Sequence, residues 1–163
     1  MNAGRPSTDD APLVAVASAL PLVAYGTILL LRTPLRRPAS ELVSRNALAD
    51  LCWLRGRWLL SFLLDRTESV GAADYVAGWH VADRQLRRRL ERYLDQTSDL
   101  VAHLLVAPAV DRRVADSMPA DLVAAFRQFI ADAPPGSPIE ELLADAVAVS
   151  QRLLDQPDAA YYP

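Results

Sequence analysis

The first constraint on this chain is a run of twenty-one residues, Ala11–Leu31, that carries no charged side chain. Folded as a helix, the run would be about 30 Å long, close to the thickness of the hydrocarbon core of a bilayer. Asp10 precedes it and Arg32 follows it. A helix without charges on any side is normally enclosed by apolar groups, so this run is expected to contact either lipid or the interior of the protein.

The arginines around this run are distributed unevenly. Only Arg5 precedes it, whereas four arginines follow it closely: Arg32, Arg36, Arg37 and Arg45. Positively charged residues collect on the cytoplasmic side of a membrane span, so the run predicts a single span with the rest of the chain in the cytoplasm. Arg32, Arg36 and Arg37 are then candidate membrane-interface residues. A secretory signal peptide fits less well, because acidic residues precede the run and no small-residue cleavage site follows it.

A second interpretation places the same run inside a soluble, cytoplasmic bundle as its buried core helix. Five alanines, together with Ser18, Gly26 and Thr27, make the run only moderately hydrophobic. Pro21 lies in its middle, where a helix exposed to water would lose about 3 kcal/mol, although membrane helices tolerate such a residue. Both interpretations stay open, and the sequence favours the membrane span.

Length and composition predict one helical domain after this run. A chain of 163 residues can bury one core, and an apolar fraction of 52% excludes disorder throughout. All 17 basic residues are Arg, which is typical of a GC-rich bacterial genome. We predict an all-α fold, in which one hydrophobic N-terminal helix precedes a bundle of four or five helices. The predicted segments are a disordered tail at 1–10, the hydrophobic helix at 11–31, a Pro-rich linker at 32–40, the bundle at 41–155 and a C-terminal tail at 156–163.

Apolar spacing and helix-breaking residues divide the bundle into helices. The predicted elements are helices at 41–66 and 74–106, a short helix or turn at 109–118, a helix at 119–131 and a helix that begins at Pro138. The apolar side of the second helix is predicted to hold Val76, Trp79, Ala82, Leu86, Leu90 and Tyr93. The last helix has the sharpest predicted start, because Ser137, Pro138 and Glu140 have the form of a capping box.

Two tryptophans lie beside arginines in the first of these helices. Rings next to Arg are typical of a membrane interface, so Trp53 and Trp58 are candidate interface residues. The helix is apolar on nearly every side, however, and core packing is the commoner fate of Trp and Leu at these spacings. We therefore favour a central bundle helix in which Gly56 permits close approach.

Five arginines and one glutamate give residues 84–92 a net charge of +4. On a helix Arg84, Arg88 and Arg92 share one ridge, and Arg87 and Arg89 flank it. The ridge is a candidate contact for anionic lipid or for an acidic protein partner, including the acidic second half of another copy, which would give self-association. A solvated or ion-paired helix face is the simpler interpretation. Nucleic acid is disfavoured, because acidic residues share the helix and no aromatic residues are interleaved.

The sequence contains no recognisable catalytic or metal-binding motif. His80 and His103 are predicted about 35 Å apart on one helix, which excludes a shared metal ion. Cys52 is the lone cysteine, so it has no disulfide partner in the chain, and its apolar neighbours predict a small buried side chain. We expect no enzymatic activity and no cofactor. An enzyme with a site around His80 and Asp83 is the least favoured hypothesis.

Two functional hypotheses from different classes remain. The first is a non-enzymatic helical interaction or scaffold protein, tethered to the bacterial inner membrane, since no catalytic constellation is present. The second is a soluble helical regulatory or small-ligand-binding domain with an apolar pocket between helices, near Trp58, Trp79 and Phe126. Recovery of the protein in the soluble fraction without detergent would exclude the membrane anchor.

Overall fold

The computed structural model describes residues 10–32, 52–66, 70–102 and 112–157. This part of the chain contains six helices and no strand, which confirms the predicted all-α class. The helices are α1 (Ala11–Arg32), α2 (52–63), α3 (Ala72–Tyr75), α4 (Arg84–Ala102), α5 (Arg112–Ala131) and α6 (Pro138–Asp155). The predicted tail at 1–10, linker at 32–40 and tail at 156–163 lie almost entirely outside the described residues.

Helix α1 packs one face against the bundle. It runs without interruption through Pro21, lies along α6 and also contacts α5. The side chains on this face are all 6% exposed or less: Leu13, Val16, Ala19, Leu20, Val23, Ala24, Thr27 and Ile28. This face of α1 is buried in the bundle, as the core-helix interpretation predicts.

The opposite face of α1 is open to solvent. Val14 is 37% exposed, Leu22 is 46% exposed and Tyr25 is 37% exposed, and Ser18 lies exposed between them. By length and composition α1 could cross a membrane, and half of the window Ala11–Ile28 is buried inside the protein. Helix α1 is therefore a core helix on one side and an apolar surface on the other.

Aromatic rings fill the centre of the bundle. Phe62 on α2 is fully buried, and its ring centroid lies 5.8–6.4 Å from those of four other residues: Trp58, Tyr75, Phe126 and Phe129. Trp79 packs edge-on against Phe129 at 5.1 Å. Offset and edge-to-face contacts of this kind stabilise a core beyond simple burial. Trp79 and Phe126 lie within this packed core and Trp58 lies against it. The predicted ligand pocket near these three rings stays a prediction.

The predicted long helix at 74–106 is wrong at its start. Residues 72–75 form the short helix α3, a turn follows in which Gly78 has a φ of +71°, and α4 begins only at Arg84. A φ in this region suits glycine and stops a helix. Trp79 lies in this loop and is nevertheless buried. Its Nε1 donates a hydrogen bond to Asp132 Oδ2 at 3.0 Å.

The predicted break between residues 118 and 119 is also wrong. Helix α5 runs from Arg112 to Ala131 with Pro119 inside it, where we predicted a separate element before Pro119. A proline removes one backbone hydrogen bond, but Met118 and Pro119 are both buried, and core packing offsets that loss. Helix α6 begins at Pro138 as predicted, with Ser137 at the N-cap, although no hydrogen bond from the capping side chain forms.

Candidate functional site

The outer surface of α4 carries the predicted arginine ridge. Leu86, Leu90 and Tyr93 are buried, so the residues on the opposite side of the helix face solvent. Arg84, Arg88 and Arg92 are all exposed, and none of the three forms an ion pair with any residue in the described ranges. We call these three residues the arginine ridge.

The two flanking arginines are ion-paired. Arg87 Nε lies 3.1 Å from Glu91 Oε1, one turn further along α4. Arg89 reaches across to α5, where its Nε and Nη2 donate hydrogen bonds to the two carboxylate oxygens of Asp121 at 2.8 and 2.9 Å. The hydrogen bond to Asp121 raises the pKa of Arg89 above its ordinary value. Arg89 therefore joins α4 to α5, whereas the three arginines of the ridge have no ion pair within the described residues.

Tyr93 completes this contact between α4 and α5. Its hydroxyl donates to Asp121 Oδ2 at 2.9 Å and also lies 2.9 Å from Ser117 Oγ. Burial is the main cause that raises the pKa of Tyr93. Together Arg89, Tyr93, Ser117 and Asp121 form a polar clamp that fixes the ridge-bearing helix to the core.

Two adjoining clefts open between the end of α2 and α4. The larger has a volume of about 480 Å³ and is lined by Arg57, Ser61, Leu64, Arg66, Glu91, Leu94, Asp95 and Ser98. The smaller has a volume of about 300 Å³ and is lined by Leu63, Leu64, Asp65, Arg66, Trp79, His80, Val81 and Arg87. Leu64 and Arg66 line both clefts, so the two adjoin, and we call them together the groove.

The groove adds two more cationic groups to the α4 surface. Arg57 and Arg66 form no ion pair within the part of the chain that the structure describes, and Arg87 stands at the α4 side. A guanidinium group presents a planar set of N–H donors that fits a carboxylate or a phosphate with two hydrogen bonds. The groove also contains carboxylates, among them Glu91 and Asp95. It therefore presents both positively and negatively charged side chains to a peptide.

The histidine that sequence analysis singled out has no carboxylate partner among the described residues. His80 is exposed, and its Nδ1 lies 3.2 Å from the carbonyl oxygen of Gly78. Asp83 instead caps α4, because its Oδ1 accepts hydrogen bonds from the backbone N–H groups of Gln85 and Leu86 at 2.7 and 3.3 Å. His103 lies outside the described residues. In the ranges that are described, no three His, Cys, Asp or Glu side chains are placed to hold a metal ion.

Cys52 has the environment of a structural side chain. It is 4% exposed, and burial raises the pKa of its thiol to about 11. The thiolate is the reactive form of cysteine, and at neutral pH this thiol is almost entirely protonated.

The candidate membrane-interface residues are only partly described. Arg32 is the last residue of α1, and Arg36 and Arg37 lie outside the described residues. Trp53 is 5% exposed, and Trp58 is half-buried against the core. This placement agrees with a central bundle helix, and the interface role of these residues stays a prediction.

The groove and the clamp have no signal in the sequence. Arg57 and Arg66 are nine residues apart on an element that the apolar pattern marked as core, and nothing in the sequence places α2 beside α4. Asp121 lies 32 residues from Arg89, so their pairing depends on the packing of two helices.

Comparison with protein-family models, with curated proteins and with solved structures gave no match.

Proposed function

We propose that this protein is a non-enzymatic helical interaction module whose α4 surface binds an acidic segment of a partner protein. The observation that supports the proposal is the arginine ridge: Arg84, Arg88 and Arg92 are exposed and have no counter-ion within the described residues. Like charges four residues apart destabilise a helix by about 0.2–0.5 kcal/mol per pair. Carboxylates of a partner would turn this repulsion into attraction.

The neighbouring groove extends the same surface. A peptide that lies along α4 could place its carboxylates against the ridge and one side chain against Arg57 and Arg66. Positive patches of this kind mainly raise the rate and the specificity of association. The clamp formed by Arg89, Tyr93, Ser117 and Asp121 holds α4 in place, so the ridge is presented by a fixed helix.

A charge-reversal pair tests the proposal. Arg88→Glu/Arg92→Glu changes the ridge, and Arg127→Glu/Arg152→Glu makes the same change in net charge at exposed arginines of α5 and α6. Binding of a fluorescein-labelled oligoglutamate peptide is followed by anisotropy. We expect the ridge variant to bind at least about tenfold more weakly, or about 1.4 kcal/mol, and the control variant to bind like the wild type.

Salt gives a second measurement on the same samples. Binding to an exposed ridge should weaken as ionic strength rises, because exposed charges are screened over about 10 Å at 0.1 M. The proposal fails if the wild type does not bind the peptide, or if both variants lose binding equally.

A membrane tether through α1 is the second candidate, and the length and apolar composition of α1 favour it. To span a bilayer, α1 would have to leave the bundle and expose the faces of α5 and α6 that it covers. Burial of one large apolar side chain contributes about 1.5–3 kcal/mol, and Leu13, Val16, Leu20 and Val23 are all 2% exposed or less. We rank the tether second for this reason. Fractionation of cells without detergent tests it: recovery with the membranes that resists high salt supports the tether, and recovery in the soluble fraction contradicts it.

A further inference from the structure

We propose that the smaller cleft of the groove binds a small phosphate monoester, in which a phosphate group is joined to one apolar group. The inference does not rest on the acidic partner proposed for α4. It starts from three exposed side chains with N–H donors that line this cleft: Arg66, His80 and Arg87. We call these three residues the donor set. They come from the turn after α2, the loop before α4 and α4 itself, so the fold rather than one helical stripe brings them together.

Backbone contacts at the end of α2 fix the position of Arg66. The N–H of Arg66 donates a hydrogen bond to the carbonyl oxygen of Ser61 at 3.0 Å, and Asp65 before it has a φ of +53°. A hydrogen bond of this span, with a left-handed residue just before its donor, has the form of a Schellman helix end. The guanidinium group of Arg66 forms no ion pair within the described residues, so its N–H donors are available to a ligand.

Buried neighbours on both sides fix the backbone of His80. Trp79 is 8% exposed and Val81 is 2% exposed. The Nδ1 of His80 lies 3.2 Å from the carbonyl oxygen of Gly78. Because a carbonyl oxygen only accepts hydrogen bonds, Nδ1 carries the proton in this contact, and Nε2 has no partner among the described residues. In the protonated ring Nε2 also donates, so His80 can supply a donor to an anion.

Arg87 is only partly engaged by its neighbour on α4. Its Nε lies 3.1 Å from Glu91 Oε1, and the two side chains are 46% and 41% exposed. The contact uses the Nε donor alone, and the two terminal nitrogens of Arg87 form no hydrogen bond within the described ranges. Arg87 can therefore donate to a ligand in the cleft while its ion pair with Glu91 stays intact.

The donor set fits a phosphate better than a carboxylate. A carboxylate has two oxygens, and a single guanidinium group satisfies both of them. A phosphate monoester has three acceptor oxygens and carries a charge of about −1.5 to −2 at pH 7. Two arginines match that charge, and donors from three segments of the chain match the number of oxygens.

The inner wall of the cleft is apolar. Leu63, Trp79 and Val81 are all 8% exposed or less, and they line the cleft beside the half-buried Leu64. The cleft volume of about 300 Å³ lies at the lower end of the range for small-molecule sites, roughly 300–1,000 Å³. A phenyl or short alkyl group could contact this wall while its phosphate stays with the donor set.

One carboxylate lines the same cleft and opposes an anion. Asp65 is exposed, and its Oδ1 lies against Gly71, where an added Cβ would be 2.6 Å away. Asp65→Asn removes this charge and keeps the left-handed backbone, which asparagine also adopts. If a phosphate occupies the cleft, the substitution should tighten binding, because it removes a like charge.

Calorimetric titration of the full chain with phenyl phosphate tests the site. Arg66→Gln removes a charge of the donor set, and Arg57→Gln is the matched control, because both arginines are exposed but Arg57 lines only the larger cleft. We expect Arg66→Gln to bind at least about tenfold more weakly and Arg57→Gln to bind like the wild type. Asp65→Asn should bind about two- to threefold more tightly. Circular dichroism should show the same helix content for all of these variants.

Two further probes identify the class of ligand, and NMR locates it. Benzoate carries a carboxylate on the same ring, and inorganic phosphate lacks the ring, so both should bind at least about threefold more weakly than phenyl phosphate. Phenyl phosphate should shift the indole N–H resonance of Trp79. The resonances of Trp53 and Trp58 should stay in place, because these residues line neither cleft.

Four results would overturn the proposal. They are no binding of phenyl phosphate at about 10 mM, equal losses from Arg66→Gln and Arg57→Gln, benzoate that binds as tightly as phenyl phosphate, and binding that leaves the Trp79 resonance in place. The second result would indicate general attraction to a positive surface, the third a carboxylate site, and the fourth a site elsewhere on the protein.

Discussion

Asp121→Ala should loosen the contact between α4 and α5. The carboxylate of Asp121 accepts two hydrogen bonds from Arg89 and a third from Tyr93. The side chain of Arg89 is 41% exposed and that of Asp121 is 14% exposed, so solvent screening limits the ion pair to about 1 kcal/mol or less. The bond from Tyr93, which is 5% exposed, adds about 1 kcal/mol. We expect the free energy of unfolding to fall by about 1–2 kcal/mol.

Urea unfolding followed by circular dichroism measures this loss. Asp121→Ala, Tyr93→Phe and the double variant form a thermodynamic cycle, and we expect a coupling energy of about 0.5–1.5 kcal/mol between the two sites. Asp145→Ala is the control, because Asp145 is an exposed carboxylate of α6 without an ion pair in the described ranges, and its effect should stay within about 0.5 kcal/mol. Strict additivity, or a loss from Asp121→Ala no larger than that of the control, would refute the clamp.

Two further predictions concern the core. Phe62→Ala should cost about 3–5 kcal/mol in free energy of unfolding, because the fully buried ring contacts four other aromatic residues, and thermal unfolding of the variant checks this. Burial raises the pKa of Cys52 from 9.0 to about 11, so the folded state favours the neutral thiol. The stability that depends on the neutral Cys52 thiol is fully present below pH 9 and is lost as the pH rises to 11. Between pH 8 and pH 11 the wild type should lose about 2 kcal/mol more than Cys52→Ala in urea unfolding, and equal losses would contradict the burial of the thiol.

Local sequence signals predicted the fold class and one helix boundary well. Pro138 after Ser137 fixes the start of α6, because proline fits the first turn of a helix and excludes an earlier start. The spacing of Leu86, Leu90 and Tyr93 predicted which side of α4 is buried. Both signals act within one turn or one helix, so they do not depend on the rest of the fold.

The errors occurred where tertiary packing outweighs a local signal. Pro119 predicts a helix start, yet α5 continues through this residue because Met118 and Pro119 are buried in the core. Trp79 has helical spacing to Leu86 but lies in a loop, where Phe129 and Asp132 hold it. Gly78 and the capping residue Asp83 were the signals that could have placed the start of α4 correctly.

The candidate site was predictable only in part. The arginine ridge follows from the spacing of Arg84, Arg88 and Arg92 on a helix. The different role of Arg89 does not, since it depends on Asp121 from another helix. The two faces of α1 were also hidden, because both are apolar, and only packing against α5 and α6 distinguishes Leu20 from Leu22.

The central claim is that α1 is a core helix of the folded domain with one face left open. Leu20 and Leu22 test it directly, because they lie two residues apart on α1 and are 2% and 46% exposed. In detergent-free buffer, Leu20→Ala should lower the free energy of unfolding by about 2–5 kcal/mol. Leu22→Ala should lower it by less than about 0.5 kcal/mol. Equal losses from the two substitutions, or a free energy of unfolding that Leu20→Ala leaves unchanged, would contradict the account.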